Sequence, residues 1–503
     1  METIRSLGDL KTTDYRPTAI KDELRRNVLR RLREGTDLFP RVVGYDRTVI
    51  PEIVNALLSR HDFILLGLRG QAKTRLVRGL VQFLDDAVPA IEGSPFHDDP
   101  LHPVSAVGRR IVAEGGDDTP IVWVAPEERF LEKLATPDVT IADLIGDVDP
   151  IKAANEGRHL DDEEIIQYGM VPRAHRGIFA INELPDLAPR IQVGLLNIME
   201  EKDVQIRGFP VRLPIDVQMV FTANPEDYTN RGSIITPLKD RIDSQIHTHY
   251  PLALEQAMAI TEQESWKDRD LPIHIPPFLR RVVDEVVFLA RESEFVDHAS
   301  GVSARASISA YENLLSNVER RVAMHGDGAS TVRVCDLDSM IPALVGKMEL
   351  AYEGEQEGAV TITRNLIGKA VQSVFLDLFP DPKAPTGRRQ RTALDEEDTQ
   401  RSAPELDTST YGQITSHFSG GTRVQVSDLM TPSDYEAALD AVPGLEDLVR
   451  GHLDGLDERD VHPAMEMVLE GLYQSSFVAK ENLDRATFYS DMLLRMMQGL
   501  GND

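Results

Sequence analysis

The stretch Phe63-Ile-Leu-Leu-Gly-Leu-Arg-Gly-Gln-Ala-Lys-Thr-Arg-Leu combines residue types that together can hold a polyphosphate. Four apolar residues come first, then Gly67, Leu68, Arg69, Gly70, Gln71 and Ala72, then Lys73, Thr74 and Arg75 at the start of a helical pattern. A Gly-containing loop between a buried strand and a helix turns backbone N–H groups towards one point, where they can surround phosphate oxygens. In that setting the Lys73 ammonium neutralises the outer phosphates of ATP, and the Thr74 hydroxyl offers a ligand to Mg²⁺. The spacing from Gly67 to Lys73 fits G-x-x-x-x-G-K-[ST], except that Ala72 stands at the second Gly position. A plain strand-to-helix turn has the same apolar pattern, so the loop needs companions.

Three further segments supply them. Gly177-Ile-Phe-Ala-Ile-Asn-Glu is an apolar strand that delivers Asn182 and Glu183 at its carboxyl end, where open α/β sheets bind ligands. Glu183 is of the right type to orient and deprotonate an attacking water. Asn182 can accept a hydrogen bond from a water on Mg²⁺ but, as a neutral amide, adds less field than a carboxylate. Gln218-Met-Val-Phe-Thr-Ala-Asn ends in Asn224, an amide able to sense a terminal phosphate or to hold the water. Arg241 in Pro237-Leu-Lys-Asp-Arg and Arg305 in Val302-Ser-Ala-Arg follow in order. Two other groups are weaker. His97, Asp98, Asp99 and His102 crowd one loop without an apolar frame for a metal, and Arg388-Arg-Gln-Arg reads as a charged tether.

The elements that must position these residues follow from hydrophobic pattern. From residue 41 to 250 helical stretches alternate with short apolar runs at Phe63, Ile121, Ile178 and Gln218, as expected for parallel strands buried on both faces. This predicts an α/β domain with a central parallel sheet. Residues 1–40 predict an exposed, basic N-terminal helical extension, and 93–120 a polar surface excursion. Residues 251–355 turn helical and predict an α-helical lid. Residues 356–423 predict a helix and a flexible linker, and 424–503 a small helical C-terminal module.

Composition bounds the rest. A chain of 503 residues allows roughly two to four domains. It holds 54 Lys and Arg against 83 Asp and Glu, a net charge of −29 that disfavours nucleic acid as the main partner. One cysteine, Cys335, removes internal disulfides and Cys-rich zinc sites. No apolar run is long enough to span a bilayer and no secretory pattern opens the chain, so a cytoplasmic location is expected.

The ordered set Lys73-Thr74, Asn182-Glu183, Asn224, Arg241 and Arg305 resembles the AAA+ ATPases. Val43-Gly-Tyr-Asp, Arg173-Ala-His-Arg-Gly-Ile-Phe-Ala-Ile-Asn-Glu and Thr222-Ala-Asn-Pro-Glu-Asp resemble in particular the branch that holds the magnesium chelatase ATPase (I) subunit and the MoxR proteins. The resemblance covers about residues 40 to 350. It implies an AAA+ P-loop domain that binds ATP and Mg²⁺, with Tyr45 in the segment that contacts nucleotide. It further implies Glu183 as catalytic base, Asn224 as first sensor and Arg305 as second sensor. Arg241 becomes the finger that reaches a neighbouring subunit, with Arg231 in reserve, and a finger in trans implies a homo-oligomeric ring, usually a hexamer. Residues 149–176 and the hairpin Val204–Pro214 correspond to the branch's two insertions.

Ala72 and Asn182 depart from the pattern and lead us to expect slow hydrolysis. The resulting expectation is a ring that remodels a partner protein, one with a von Willebrand factor A domain by resemblance. Alternatives are a magnesium chelatase ATPase subunit and a nucleotide-gated scaffold with little hydrolysis.

Overall fold

The computed structural model describes residues 4–157, 163–201, 203–206, 212–225, 232–325, 330–384, 410–483 and 486–492. The chain divides into two compact units, Met1–Tyr250 and Pro251–Asp503.

In the first unit, five strands form one sheet: β1 (Phe63–Leu66), β2 (Phe130–Leu134), β3 (Gly177–Asn182), β4 (Val217–Ala223) and β5 (Ser244–His247). Their order is β5-β1-β4-β3-β2, and every neighbouring pair is parallel. Because side chains alternate along a strand, Ile64, Leu66, Phe179 and Ile181 enter one core, while Phe63, Leu65, Ile178 and Ala180 enter another. Both faces are covered, which is why these strands read as unbroken apolar runs. The central parallel sheet expected from the sequence is therefore present, with helices around it: α1 (Ile20–Glu34), α2 (Val49–Leu58), α3 (Lys73–Gly79), α4 (Pro189–Glu201) and α5 (Thr236–Arg241).

Two expectations for this unit need correction. Ile121–Val124 is outside this sheet and pairs antiparallel with Val88–Ile91. Only its first and last residues are buried, so its apolar run covers one side of a small ribbon. The edge place goes to β2, whose Phe-Leu-Glu-Lys-Leu sequence is partly exposed along its length and shows no apolar run. The N-terminal helix is not exposed: Ile20, Leu24 and Val28 of α1 are fully buried in the core that holds Phe63 and Leu65. Its arginines had suggested a solvated helix, but they occupy the other positions of the repeat, and a one-sided apolar stripe is sufficient for docking. Glu23 on the inward side meets Arg129 through two bonds, of 2.8 and 2.7 Å, with both side chains almost completely buried.

Within the first unit, Gly146–Val148 pairs antiparallel with Ile166–Tyr168, and Asp203–Gln205 with Arg212–Pro214. The latter pair forms the two arms of the expected hairpin; its turn lies outside the described residues, as do Arg231 and Arg388.

The second unit is built around α6 (Pro277–Glu292), α7 (Arg305–His325), α8 (Ala359–Leu378) and α9 (Val461–Gln474). A single apolar core runs from Phe278 to Tyr489 and draws on all four helices. Residues beyond 424 are not helical throughout. β6 (Val424–Ser427), β7 (Ala479–Leu483) and β8 (Ala486–Ser490) form an antiparallel sheet in the order β6-β8-β7. Val424 and Val426 point inward while Gln425 is exposed, a two-residue period too short to stand out beside the strong helical pattern of α9.

That core contains carboxylates. Glu466 is fully buried, with one oxygen accepting from the Tyr435 hydroxyl at 2.7 Å and from the Val334 amide at 2.9 Å. Its other oxygen has no donor among the described residues. Burial pushes this carboxyl up to about 7 from an ordinary value of 4.5, whereas one turn later the Lys480 ammonium, at 2.9 Å, helps hold Glu470 below its ordinary value against the opposing effect of burial.

Two predictions arise here. Glu23→Ala leaves Arg129 buried without its partner and should cost about 3–5 kcal/mol, read from the urea midpoint; a loss below about 1 kcal/mol would contradict it. Between pH 4.5 and about 7 the folded chain holds a proton on Glu466 that the unfolded chain has released. The contribution of this group to stability is complete below that window and declines as pH rises through it, by up to about 1.4 kcal/mol per unit. Glu466→Gln should remove that part of the slope in unfolding curves taken across the window.

Candidate nucleotide site

Because the five strands are parallel, their carboxyl ends share one edge of the sheet, and the polar residues that follow them meet there. The register fixes the levels: Leu66 lies opposite Ala223, and Phe221 opposite Ile181. The loop after β1 is tied down on both sides. The Gly67 amide donates to the Ala223 carbonyl at 3.2 Å, and the Thr248 amide, just past β5, donates to the Leu66 carbonyl at 2.8 Å.

The loop itself is shaped by left-handed residues. Gly70 has φ 76° and Ala72 φ 56°, with Gln71 between them at negative φ. Alternating backbone hand of this kind makes concavities lined by N–H groups, the geometry that anions occupy. It also shows why glycine is expected at position 72. A left-handed backbone costs an L-residue roughly 1–2 kcal/mol, and Ala72 accepts that strain.

Side chains hold the curl in place. Gln71 is buried and its Oε1 accepts from the Thr248 hydroxyl at 2.8 Å. The Tyr45 hydroxyl donates to the Gln71 carbonyl at 3.0 Å, and the Tyr250 hydroxyl to the Arg69 carbonyl at 3.0 Å. Arg75 reaches back to the Arg41 carbonyl at 3.0 Å. Lys73 is only 8% exposed, and its ammonium donates to the Gly67 carbonyl and, at 3.1 Å, to that of Leu68. Thr74, the next residue of α3, is exposed. A curled backbone, a buried ammonium over the loop and an exposed hydroxyl beside it form a donor set that fits a polyphosphate with its metal ion.

On the neighbouring strands, Asn182 is buried and Glu183 half-buried. The Asn182 side-chain Oδ1 accepts from the Thr222 hydroxyl at 3.2 Å, and that hydroxyl accepts from the Glu183 backbone N–H at 3.1 Å. Glu183 itself is left-handed, with φ 56° and ψ 51°, so the chain turns sharply as it leaves β3. The Asn182 amide donates to Glu132 on β2, whose other oxygen accepts from Arg78 of α3 at 2.8 Å.

The structure thus gathers Gly67 to Arg75, Tyr45, Asn182, Glu183 and Asn224 at the sheet's carboxyl edge. Arg241 belongs to the same unit but is held by Glu200 at 2.7 Å and caps its own helix through the Pro237 carbonyl. Arg305 opens α7 in the second unit, with an exposed side chain. The crowded acidic loop has a structural use. Asp98 accepts from the Val104 and Ser105 amides at 2.7 and 3.1 Å, and Asp99 takes the Tyr15 hydroxyl at 2.5 Å and pairs with Arg176 at 3.2 Å. Among the described residues no group of three or more His, Cys, Asp or Glu is arranged to hold a metal ion.

Sequence reasoning missed Glu132, Thr248 and Tyr250. All three sit in or just after β2 and β5, short strands of mixed polarity whose periodicity is too weak to mark them. The available signal was positional: a polar residue following any parallel strand arrives at this edge.

Residues 155–244 match the family model described as the Sigma-54 interaction domain. Among solved structures, the chain is 14% identical to NtrX from Brucella abortus, with 60% of this chain and 57% of that one covered and a TM-score of 0.35. A Cytophaga hutchinsonii protein assigned provisionally as an ATPase is 18% identical, over 69% of this chain and 95% of that one, at a TM-score of 0.28. A structure of the complex between subunits BchI and BchD of magnesium chelatase gives 19% identity, 63% and 98% coverage and a TM-score of 0.34. The first unit has an α/β fold built on a central parallel sheet with a strand–loop–helix, and the matched residues 155–244 include β3 and β4. No described helix is long and apolar enough to cross a membrane.

Two substitutions test the loop. A Cβ on Gly67 would lie 1.9 Å from the Thr248 hydroxyl and 2.2 Å from Gln71 Oε1, so Gly67→Ala must break that buried hydrogen bond. A loss of about 1–3 kcal/mol is expected in thermal unfolding. Ala72→Gly removes left-handed strain while adding chain entropy, for a net gain of up to about 1 kcal/mol; a loss would contradict the strained loop.

Proposed function

We propose that the chain is an ATP-binding, slowly hydrolysing AAA+ ring subunit that remodels a partner protein. The observation that carries this reading is the convergence of the Lys73 loop with Asn182 and Glu183 on one edge of a parallel sheet. In this reading the loop amides and Lys73 hold the phosphates, with Thr74 and Asn182 towards the metal ion. Mg²⁺, held beside Thr74 and Asn182, would supply neutralisation of the phosphate charge. Glu183 orients water and takes its proton, and the Asn224 amide senses the terminal phosphate. Arg241, held by Glu200 within its own subunit, becomes the finger for a neighbour's ATP, and Arg305 the second sensor. The ring, a hexamer, and a partner with a von Willebrand factor A domain follow from the resemblance to the magnesium chelatase and MoxR branch.

Slow turnover follows from two features. Ala72 takes a strained left-handed backbone where glycine is expected, and Asn182 puts a neutral amide beside the metal ion where a carboxylate would stabilise developing charge. The same two features favour a second reading, a nucleotide-gated scaffold that assembles on ATP without hydrolysing it.

Steady-state ATP hydrolysis with Mg²⁺, alongside light scattering with and without ATP, separates them. Under the first reading the unsubstituted chain turns over ATP slowly. Glu183→Gln then lowers turnover by about 10²-fold or more while the ATP-dependent mass increase persists, and Lys73→Ala abolishes both. Assembly on ATP with no turnover in the unsubstituted chain would replace the motor by the scaffold.

A further inference from the structure

The position beside the metal ion holds Asn182, yet a carboxylate lies one hydrogen bond away. Glu132 on β2 pairs in register with Ala180, so Glu132 and Asn182 project from the same face of the sheet, two residues apart along it. The Asn182 side-chain amide donates to Glu132, and its Oδ1 is engaged by Thr222, so a chain of polar groups crosses the ends of β2, β3 and β4 to the Glu183 backbone N–H. The other side of Glu132 faces α3. Arg78 donates to it at 2.8 Å, and Arg78 lies four residues after Thr74, one turn along the same helical face. Glu132 is therefore bracketed by the residue at the metal position and by the helix that carries the metal's hydroxyl ligand. Its side chain is 20% exposed, whereas Arg78 is 65% exposed and free to swing into solvent when another cation competes.

We propose that Glu132, one hydrogen bond behind Asn182, supplies negative charge that raises affinity for the Mg²⁺ of bound Mg·ATP, while the group beside the metal ion remains a neutral amide. This inference rests on the nucleotide-site reading above. Glu132 acts as a positioning residue. It fixes the Asn182 amide and places a formal charge one hydrogen bond behind it, and outer carboxylates of this kind raise metal affinity about 10–100-fold. The edge place of β2 is what makes this possible, since an interior strand at this level would hold apolar residues on both faces.

The test is calorimetric titration of the full chain with ATP, in MgCl₂ and in excess EDTA, which reads the gain in ATP affinity due to Mg²⁺. Glu132→Gln is expected to cut that gain about tenfold or more while leaving affinity in EDTA in place. Adding Asn182→Asp to Glu132→Gln, which moves the carboxylate onto position 182, is expected to restore it. Arg78→Gln removes the ion pair but keeps the carboxylate, and should preserve or increase the gain. If Glu132 serves only as the ion partner of Arg78, both single variants lose equally, and that result overturns the proposal. So does an unchanged gain in Glu132→Gln, or a reduced one in Arg78→Gln, which also decides the case should Glu132→Gln fail to fold. A wild-type chain that binds ATP equally with and without Mg²⁺ overturns this inference alone. A wild-type chain that binds no ATP overturns the nucleotide-site reading with it.

Discussion

All five strands of the first unit run the same way, and that common direction is the constraint on which the site depends. Parallel pairing places the carboxyl ends of β1, β3, β4 and β5 at one edge, and the register sets how far each chain has advanced when it leaves the sheet. Two backbone bonds then convert alignment into position: Gly67 to Ala223 at 3.2 Å and Thr248 to Leu66 at 2.8 Å. Had β4 run the other way, Asn224 would lie at the opposite edge from Lys73. The covered faces lock the register, because a slip of one residue would move Ile64 and Leu66 into the core now filled by Phe63 and Leu65.

Given that frame, the site's unusual features group together. Ala72 and Glu183 are two of the five described non-glycine residues with positive φ, and both lie where the chain leaves or re-enters a regular element beside the loop. Backbone strain of this kind persists only where surrounding contacts over-determine the conformation. Here the contacts are Gln71 to Thr248, Tyr45 to the Gln71 carbonyl, and the Glu183 amide to Thr222. Lys73 adds a buried charge stabilised by loop carbonyls, a set of bonds that a stronger anionic acceptor would displace.

How much of this was legible in the sequence depended on how strongly each element announces itself. The strands at 63, 177 and 217 are buried on both faces, so their apolar runs were plain, and the polar residues at their ends could be named directly. Residues 130–134 and 244–247 hide charged or polar side chains in short strands, so Glu132 and Thr248 went unseen although both touch the site's framework. The run at 121 misled because a one-sided ribbon and a buried strand look alike over four residues. The N-terminal helix misled in the other direction, since its arginines concealed an apolar stripe and a buried Glu23. In the second unit, the strong period of α9 drew attention away from three short strands. Long-range pairing, such as Glu132 with both Asn182 and Arg78, has no local signature at all.

The central claim is that Lys73 and its loop bind the phosphates of ATP. Equilibrium titration of the full chain and of Lys73→Ala with ATP in the presence of Mg²⁺ tests it most directly. The account requires saturable binding, one site per chain, with affinity lowered about 10²-fold or more in Lys73→Ala, as expected when a buried charge-assisted bond to phosphate is removed. Binding of equal strength in both proteins, or none in either, would contradict it.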